Sequence, residues 1–135
     1  MPWSRRCAVT DHRPARATSL RALLEVEGVD ALLVTHLPNI RWLTGFSGSA
    51  ALLVVSAKRL TLITDFRYAT QAPSEAGGAA EVLVDRRSVW DRLGRVLASE
   101  APETLATEGG VITARDAARI SALAPGRVVP LTDLV

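Results

Sequence analysis

The sequence predicts an α/β fold in three layers, with a mixed, mostly parallel sheet of about six strands between layers of helices. Three observations predict it. Short apolar runs, typical of strands that are buried on both faces, recur along the chain. Segments with apolar residues at helical spacing separate most of these runs, and helical crossovers join parallel strands. Only one pair of runs is joined closely enough to form an antiparallel hairpin.

The first part of the chain predicts one helix and one buried strand. Residues 1–12 are polar and are expected to form an irregular or disordered start, so the folded domain covers residues 13–135. Pro14 suits the first turn of a helix, because proline lacks the N–H that has no partner there. Gly28 is placed to end this helix in the left-handed conformation. The apolar run 31–34 then predicts a strand buried on both faces.

The middle of the chain predicts a hairpin between two short helical segments. Residues 40–43 have the apolar spacing of a single helical turn. The runs 50–56 and 60–64 predict two strands, and the turn at 58–59 is short enough to make them antiparallel. A short helix is expected after the second strand, and Pro73 is expected to interrupt it.

The last part of the chain predicts helices that lead into strands. The apolar runs 81–84, 104–107 and 127–131 predict three further strands. Ser88 and Thr113 each precede an aspartate by three residues, a spacing that resembles a capping box at the start of a helix. The helices that follow these caps connect one strand to the next, which favours parallel pairing.

Composition excludes several classes of function. The net charge is +2, and 15 of the 16 basic residues are arginines scattered along the chain. Because nucleic-acid binding usually needs a basic stripe on one face, no nucleic-acid partner is expected. The single cysteine, Cys7, cannot form an internal disulfide. No apolar signal segment is present, and the longest apolar run, 50–55, is too short to span a membrane. A cytoplasmic protein without membrane contact is therefore predicted.

The search for a catalytic motif finds no strong one. Residues 45–49 resemble the G-x-S-x-G elbow of serine hydrolases but end in Ser49, and a strand rather than a helix follows. The two histidines and one cysteine match no zinc pattern. Carboxylates near strand ends leave a nuclease-like metal cluster open as an alternative, although such residues more often form caps and turns. These carboxylates are Asp30, Asp65, Glu108 and Asp133.

Two groups of residues remain as candidates for binding. Asp65, Arg67 and Tyr68 follow a strand, at the rim where open α/β sheets bind ligands. Arg67 either pairs with Asp65 or binds a carboxylate through its planar guanidinium. The aromatic residues Trp42 and Phe46 either pack beneath the glycine-rich bend or present an apolar surface to a partner.

The motifs around these residues resemble the amino-terminal domain of the creatinase, prolidase and aminopeptidase P family. The matching stretches are NIRWLTGF at 39–46, SGS at 47–49, LITDFRY at 62–68 and QA at 71–72. The resemblance extends over residues 13–135. The sequence departs from the family pattern in three places: Trp42 stands where tyrosine is usual, two alanines at 50–51 where Asn-Gly is frequent, and Pro73 in the helix.

The resemblance implies a ribonuclease-H-like mixed sheet and a role beside a larger catalytic domain. In the peptidases of this family, that "pita-bread" domain holds two divalent ions, often manganese or cobalt, and is absent from this chain. The expected partners are the chain's own carboxy-terminal catalytic domain, a second copy in a homodimer and short Xaa-Pro peptides. No catalytic residue or metal ligand is expected in this chain. The candidate pocket or interface residues are Asn39, Arg41, Trp42, Phe46, Ser47, Gly48, Asp65, Arg67 and Tyr68.

Two functions follow from these observations. In the first, the chain is the non-catalytic domain of a metal-dependent Xaa-Pro aminopeptidase or dipeptidase, and it supports dimerisation and lines the substrate pocket. In the second, the chain is a free-standing module of the same fold that binds peptides or proteins without cleaving them.

Overall fold

The computed structural model describes residues 10–135. The predicted irregular start lies mostly outside these residues, and 10–12 lead into the first helix without regular structure. The helices are α1 (Arg13–Glu27), α2 (Leu37–Thr44), α3 (Gln71–Ala76), α4 (Val89–Glu100) and α5 (Ala114–Leu123), with a 3-10 turn at Phe66–Tyr68. The strands are β1 (Ala31–Val34), β2 (Ala51–Ser56), β3 (Leu60–Asp65), β4 (Glu81–Asp85), β5 (Thr104–Glu108) and β6 (Arg127–Leu131). Of these helices, none is long and apolar enough to cross a membrane.

The six strands form one sheet in the order β4-β3-β2-β1-β5-β6. Strand β2 is antiparallel to both of its neighbours, β1 and β3. The other pairings, β1 with β5, β3 with β4 and β5 with β6, are parallel. Five strands therefore run in one direction and β2 runs against them, which confirms the predicted mixed, mostly parallel sheet.

The core lies on both faces of the sheet because successive strand residues point to opposite faces. In β1, Leu32 and Val34 join one apolar cluster, in which they pack with residues of α1, α2 and α3. Ala31 and Leu33 join the other cluster, which includes residues of α4 and α5. The predicted three layers are thus confirmed, and the continuous apolar sequence of β1 follows from its burial on both faces.

Local signals place the helix ends where the sequence predicts them. Gly28 ends α1 with φ of 71°, in the left-handed region that favours glycine. The Ser88 hydroxyl accepts a hydrogen bond from the backbone N–H of Asp91 at 3.2 Å. The Thr113 hydroxyl accepts the equivalent bond from Asp116 at 3.1 Å. Each cap satisfies an N–H group that the first turn of a helix leaves without a partner.

Two expectations about short helices are wrong. Residues 37–44 form an eight-residue helix rather than a single turn, because Pro38 lies in its first turn and Gly45 ends it with φ of 85°. Pro73 does not interrupt α3. It lies in the first turn of that helix, where no intrahelical acceptor is available and the missing N–H therefore costs nothing.

Candidate functional site

The carboxyl-terminal edge of the sheet brings together most of the candidate residues. All strands except β2 end at this edge, because they run parallel to one another. Strand β2 starts there, directly after a bend formed by residues 45–50. The turn at Phe66–Tyr68 follows β3 at the same edge. The two sequence motifs, one before β2 and one after β3, are therefore neighbours in the folded chain.

Asn39 is held by a buried carboxylate at the end of β5. The Asn39 side-chain amide donates a hydrogen bond to one oxygen of Glu108 at 2.5 Å. The other oxygen of Glu108 accepts the backbone N–H groups of Thr35 at 2.7 Å and His36 at 3.0 Å. Glu108 thus fixes the segment that leads from β1 into α2. Asn39 and Glu108 also line a recess of about 190 Å³, together with the last residue, Val135.

The bend is held from two sides by side chains that follow β3. The Tyr68 hydroxyl accepts the backbone N–H of Ser49 at 3.0 Å and lies 2.6 Å from the Ser49 hydroxyl. These hydrogen bonds lower the pKa of the Tyr68 phenol. On the other side, the Glu75 carboxylate accepts both the backbone N–H of Ser47 at 2.9 Å and its hydroxyl. Gln71 donates to the Ser47 hydroxyl at 3.1 Å. The bend therefore has one defined shape rather than the freedom of an open loop.

The Phe46 ring supports the bend from below. Phe46 is 1% exposed, and its ring packs edge-on against the Tyr68 ring with centroids 5.2 Å apart. Of the two alternatives that the sequence leaves open for Phe46, the structure shows packing beneath the bend. Gly48 lies directly over this pair of rings: a Cβ atom there would lie 2.3 Å from Phe46 Cζ and 2.8 Å from Tyr68 Cε1.

We expect Gly48→Ala to destabilise the fold by about 1 to 3 kcal/mol, because the added methyl group must displace two packed aromatic rings. The measurement is the free energy of unfolding in urea. Gly110→Ala is the matched control, since its Cβ would meet only Thr132 Cγ2 at 3.9 Å, an ordinary contact. Equal unfolding midpoints for the two variants would show that the bend tolerates a side chain at position 48.

Arg67 pairs with Asp65 rather than standing free. The Asp65 carboxylate accepts the Arg67 Nη2 group at 2.7 Å and the Arg67 backbone N–H at 3.0 Å. The hydrogen bond from the guanidinium lowers the pKa of Asp65. The Arg67 side chain is still 58% exposed, and its guanidinium lies 5.3 Å from the Tyr68 ring centroid. The ion pair orders the turn, and it leaves an exposed guanidinium beside the bend.

Arg41 and Trp42 lie on the exposed side of α2. Trp42 is 45% exposed, so of its two alternatives the structure shows the outward-facing one. The Arg16 guanidinium of α1 lies 4.7 Å from the Trp42 ring centroid and donates to the Trp42 carbonyl at 2.9 Å. Trp42 therefore packs toward α1. The backbone hydrogen bond from Ser47 lowers the pKa of the Glu75 carboxyl most, and the positive charge of Arg41 adds a smaller lowering.

Three residues that hold the site are missing from the sequence-based candidates. Gln71 and Glu75 act together on Ser47, and their i, i+4 spacing on a helix is the signal that could have identified them. Arg13 donates to the carbonyl oxygens of Thr44 at 2.8 Å and Glu75 at 3.0 Å, which ties α1 to the ends of α2 and α3. No local pattern indicates that last contact, because its partners are 31 and 62 residues away.

The strand-end carboxylates do not assemble into the nuclease-like cluster that the sequence leaves open. Asp30 precedes β1 and so lies at the opposite edge of the sheet, where it accepts the backbone N–H of Thr104 at 3.0 Å. The Asp65 carboxylate accepts a hydrogen bond from the Arg67 guanidinium, and the Glu108 carboxylate accepts a backbone N–H of the segment that leads into α2. Among residues 10–135, no group of three or more His, Cys, Asp or Glu side chains could hold a metal ion.

Comparison with known protein families matches nearly the whole chain to one family. A sequence model of the Creatinase/Prolidase N-terminal domain matches residues 16–135. The uncharacterized peptidase YqhT of Bacillus subtilis (strain 168) is 46% identical over 59 residues. That match covers 44% of this chain and 17% of YqhT, so the chain spans only a small part of this curated relative.

Solved structures show the same fold. An Xaa-Pro dipeptidase from Bacillus anthracis superposes with a TM-score of 0.85 at 24% identity, over 90% of this chain and 34% of that one. The N-terminal domain of cytoplasmic peptidase PepQ from Mycobacterium tuberculosis H37Rv has a TM-score of 0.79 at 31% identity, over 89% of this chain and 95% of that domain. An Xaa-Pro aminopeptidase from Streptococcus pyogenes has a TM-score of 0.79 at 30% identity, over 91% of this chain and 94% of that one. With its family match, its six-stranded mixed sheet and these neighbours, the chain belongs to the creatinase/prolidase N-terminal domain family.

Proposed function

We propose that this chain is the non-catalytic amino-terminal domain of a cytoplasmic, metal-dependent Xaa-Pro aminopeptidase or dipeptidase. In the assembled enzyme, the carboxyl-terminal edge of its sheet contributes to the dimer interface and to the wall of the pocket that admits short Xaa-Pro peptides. The partners are the enzyme's own catalytic domain and a second copy of the enzyme.

One observation supports this proposal most directly: most of the candidate residues lie at the same edge of the sheet as Val135. Val135 lines a recess together with Asn39 and Glu108. The bend has a defined shape, which suits a pocket wall because binding then costs little ordering entropy. Phe66, in the turn at this edge, is 60% exposed and offers apolar surface to a neighbouring domain.

The two divalent ions implied by the family are assigned to the catalytic domain and not to this chain. A two-metal centre needs several convergent carboxylates. The described part of this chain has no such cluster, and two carboxylates at the sheet edge, Asp65 and Glu108, already accept hydrogen bonds from arginine or backbone donors. The contribution to catalysis that we propose for this chain is to position and enclose the substrate.

The experiment compares the chain alone with the enzyme encoded by the full reading frame. We expect the 135-residue chain to show no hydrolysis of an Xaa-Pro dipeptide with Mn²⁺ or Co²⁺, whereas the full-length enzyme is active and dimeric. In the full-length enzyme, Arg67→Ala should raise KM severalfold or weaken the dimer, because Arg67 is exposed at the proposed wall. Arg115→Ala, an exposed arginine on α5, is the matched control.

Two results would contradict the proposal. Metal-dependent turnover by the purified 135-residue chain would place the catalytic centre within it. A reading frame that stops after Val135 would instead identify a free-standing binding module.

A further inference from the structure

A basic recess lies at the end of the edge strand β4, where the chain turns into α4. Its volume is about 590 Å³. In the sequence the arginines are scattered, with only 5–6 and 86–87 adjacent, but the turn and the first part of α4 bring four of them to one place. The charged side chains that line the recess are Arg86, Arg87, Arg92, Arg95, Asp85 and Asp91.

Asp85 organises this recess from its floor. Its side chain is 8% exposed and accepts hydrogen bonds from Arg92 Nε at 3.1 Å and Arg95 Nη2 at 2.8 Å. It also accepts the backbone N–H groups of Arg87 at 2.8 Å and Ser88 at 3.0 Å. These backbone bonds, with that from Arg92, lower the pKa of Asp85 to about 2, so the carboxylate stays ionised near neutral pH. Two guanidinium groups are therefore held in fixed positions before any ligand arrives.

The recess has more positive charge and more N–H donors than its own acids can satisfy. Four arginines and two aspartates leave it with a net charge of +2. Arg86 and Arg87 are exposed, and neither side chain forms an ion pair with another residue of the described range 10–135. Each guanidinium has five N–H donors, and Asp85 uses only one from Arg92 and one from Arg95. The remaining N–H groups are free to donate to an anionic ligand in place of water.

The chemistry of the lining favours a phosphate group. Guanidinium groups present paired donors that match the spacing of phosphate oxygens, and such charge-assisted pairs are stronger than neutral hydrogen bonds. The recess is larger than a single phosphate ion and lies within the size range of small-molecule pockets. Since Asp85 already holds two of the arginines, less side-chain entropy is lost when the ligand binds.

We propose that the recess of Arg86, Arg87, Arg92 and Arg95 is a binding site for a phosphate oxyanion, supplied either as free phosphate or as the phosphate group of a small molecule. The site begins one strand away from the Asp65–Arg67 turn, because Asp85 is the register partner of Asp65. It is independent of the proposed peptidase role, and either proposal can fail without the other.

The test is an NMR titration of the ¹⁵N-labelled chain with sodium phosphate at a constant ionic strength of about 0.15 M, which screens weak surface attraction. The chain is studied alone because similar N-terminal domains were solved as separate chains. We expect saturable shifts of the amides in 85–92. Arg86→Ala/Arg87→Ala should weaken binding about tenfold or more, since it removes two charged donors without touching Asp85. The matched control Arg115→Ala/Arg127→Ala removes two exposed arginines elsewhere and should change the affinity less than about twofold.

A second titration, with a nucleoside monophosphate and with the same nucleoside lacking phosphate, distinguishes the sources of the anion. Tighter binding of the monophosphate than of inorganic phosphate identifies a phosphorylated small molecule, and equal binding identifies free phosphate. The nucleoside alone should not bind. The proposal is overturned if the shifts do not saturate with either anion, or if both double variants weaken binding equally, which would indicate general electrostatic attraction.

Discussion

Phe46→Ala is expected to lower the free energy of unfolding by about 3 to 5 kcal/mol, the largest effect of any substitution among the candidate residues. The side chain is 1% exposed, and its removal leaves a cavity beneath the bend. The edge-on contact with Tyr68 is lost as well, and such aromatic pairs contribute about 0.5 to 1.5 kcal/mol beyond the area they bury. Urea unfolding followed by circular dichroism measures the change.

Trp42→Ala is the matched control, because it removes a larger aromatic side chain from the neighbouring helix. Since Trp42 is 45% exposed, its loss should cost less than about 1.5 kcal/mol, including the contact with Arg16. If Trp42→Ala were the more damaging change, the assignment of Phe46 to support and Trp42 to the outer surface would be wrong.

Glu108→Ala is expected to cost about 3 kcal/mol, because it leaves the backbone N–H groups of Thr35 and His36 and the amide of Asn39 without their acceptor. Glu108 is buried, so water replaces the lost carboxylate only in part. The measurement is again the free energy of unfolding in urea. Hydrogen exchange of the Thr35 and His36 amides reports the same loss locally.

Glu108→Gln tests whether the hydrogen bonds, and not the volume of the side chain, are responsible. Its amide oxygen can still accept the two backbone N–H groups, and Asn39 can turn its own oxygen toward the new NH₂ group. We expect a cost of about 1 kcal/mol. A cost as large as that of Glu108→Ala would show that the negative charge itself is needed. Equal stability of all three proteins would contradict the anchoring role.

The fold could be predicted in most of its detail because its signals are local. Gly28 and Ser88 mark helix ends through backbone geometry and hydrogen bonds within a few residues. The short connection between β2 and β3 makes those strands antiparallel, as the sequence predicts. The prediction for Pro73 was wrong because the effect of a proline depends on its position in the helix. In the interior a proline breaks the helix, but Pro73 lies in the first turn, where a proline is tolerated.

The candidate site could be predicted only in part. The motifs contain segments that meet at the sheet edge, where Phe46, Gly48 and Tyr68 form one packed unit. Whether these residues contribute to a pocket or an interface stays a prediction. The motifs do not show which aromatic residue is buried beneath the bend and which is exposed, because the burial of a side chain depends on the elements that pack against it in the folded chain. The i, i+4 spacing of Gln71 and Glu75 links these two residues to each other, but it does not indicate their contact with Ser47, which lies 28 positions before Glu75.

The sequence by itself determined the succession of helices and strands, the hairpin and the family, because these follow from apolar spacing, turn residues and motifs within short stretches. Only the tertiary structure decided which side chains meet. Asn39 and Glu108 are 69 residues apart and become partners because β1 and β5 pair in parallel and end together. The order and the register of the strands bring distant residues into contact. Neither can be inferred from the spacing of residues along the chain.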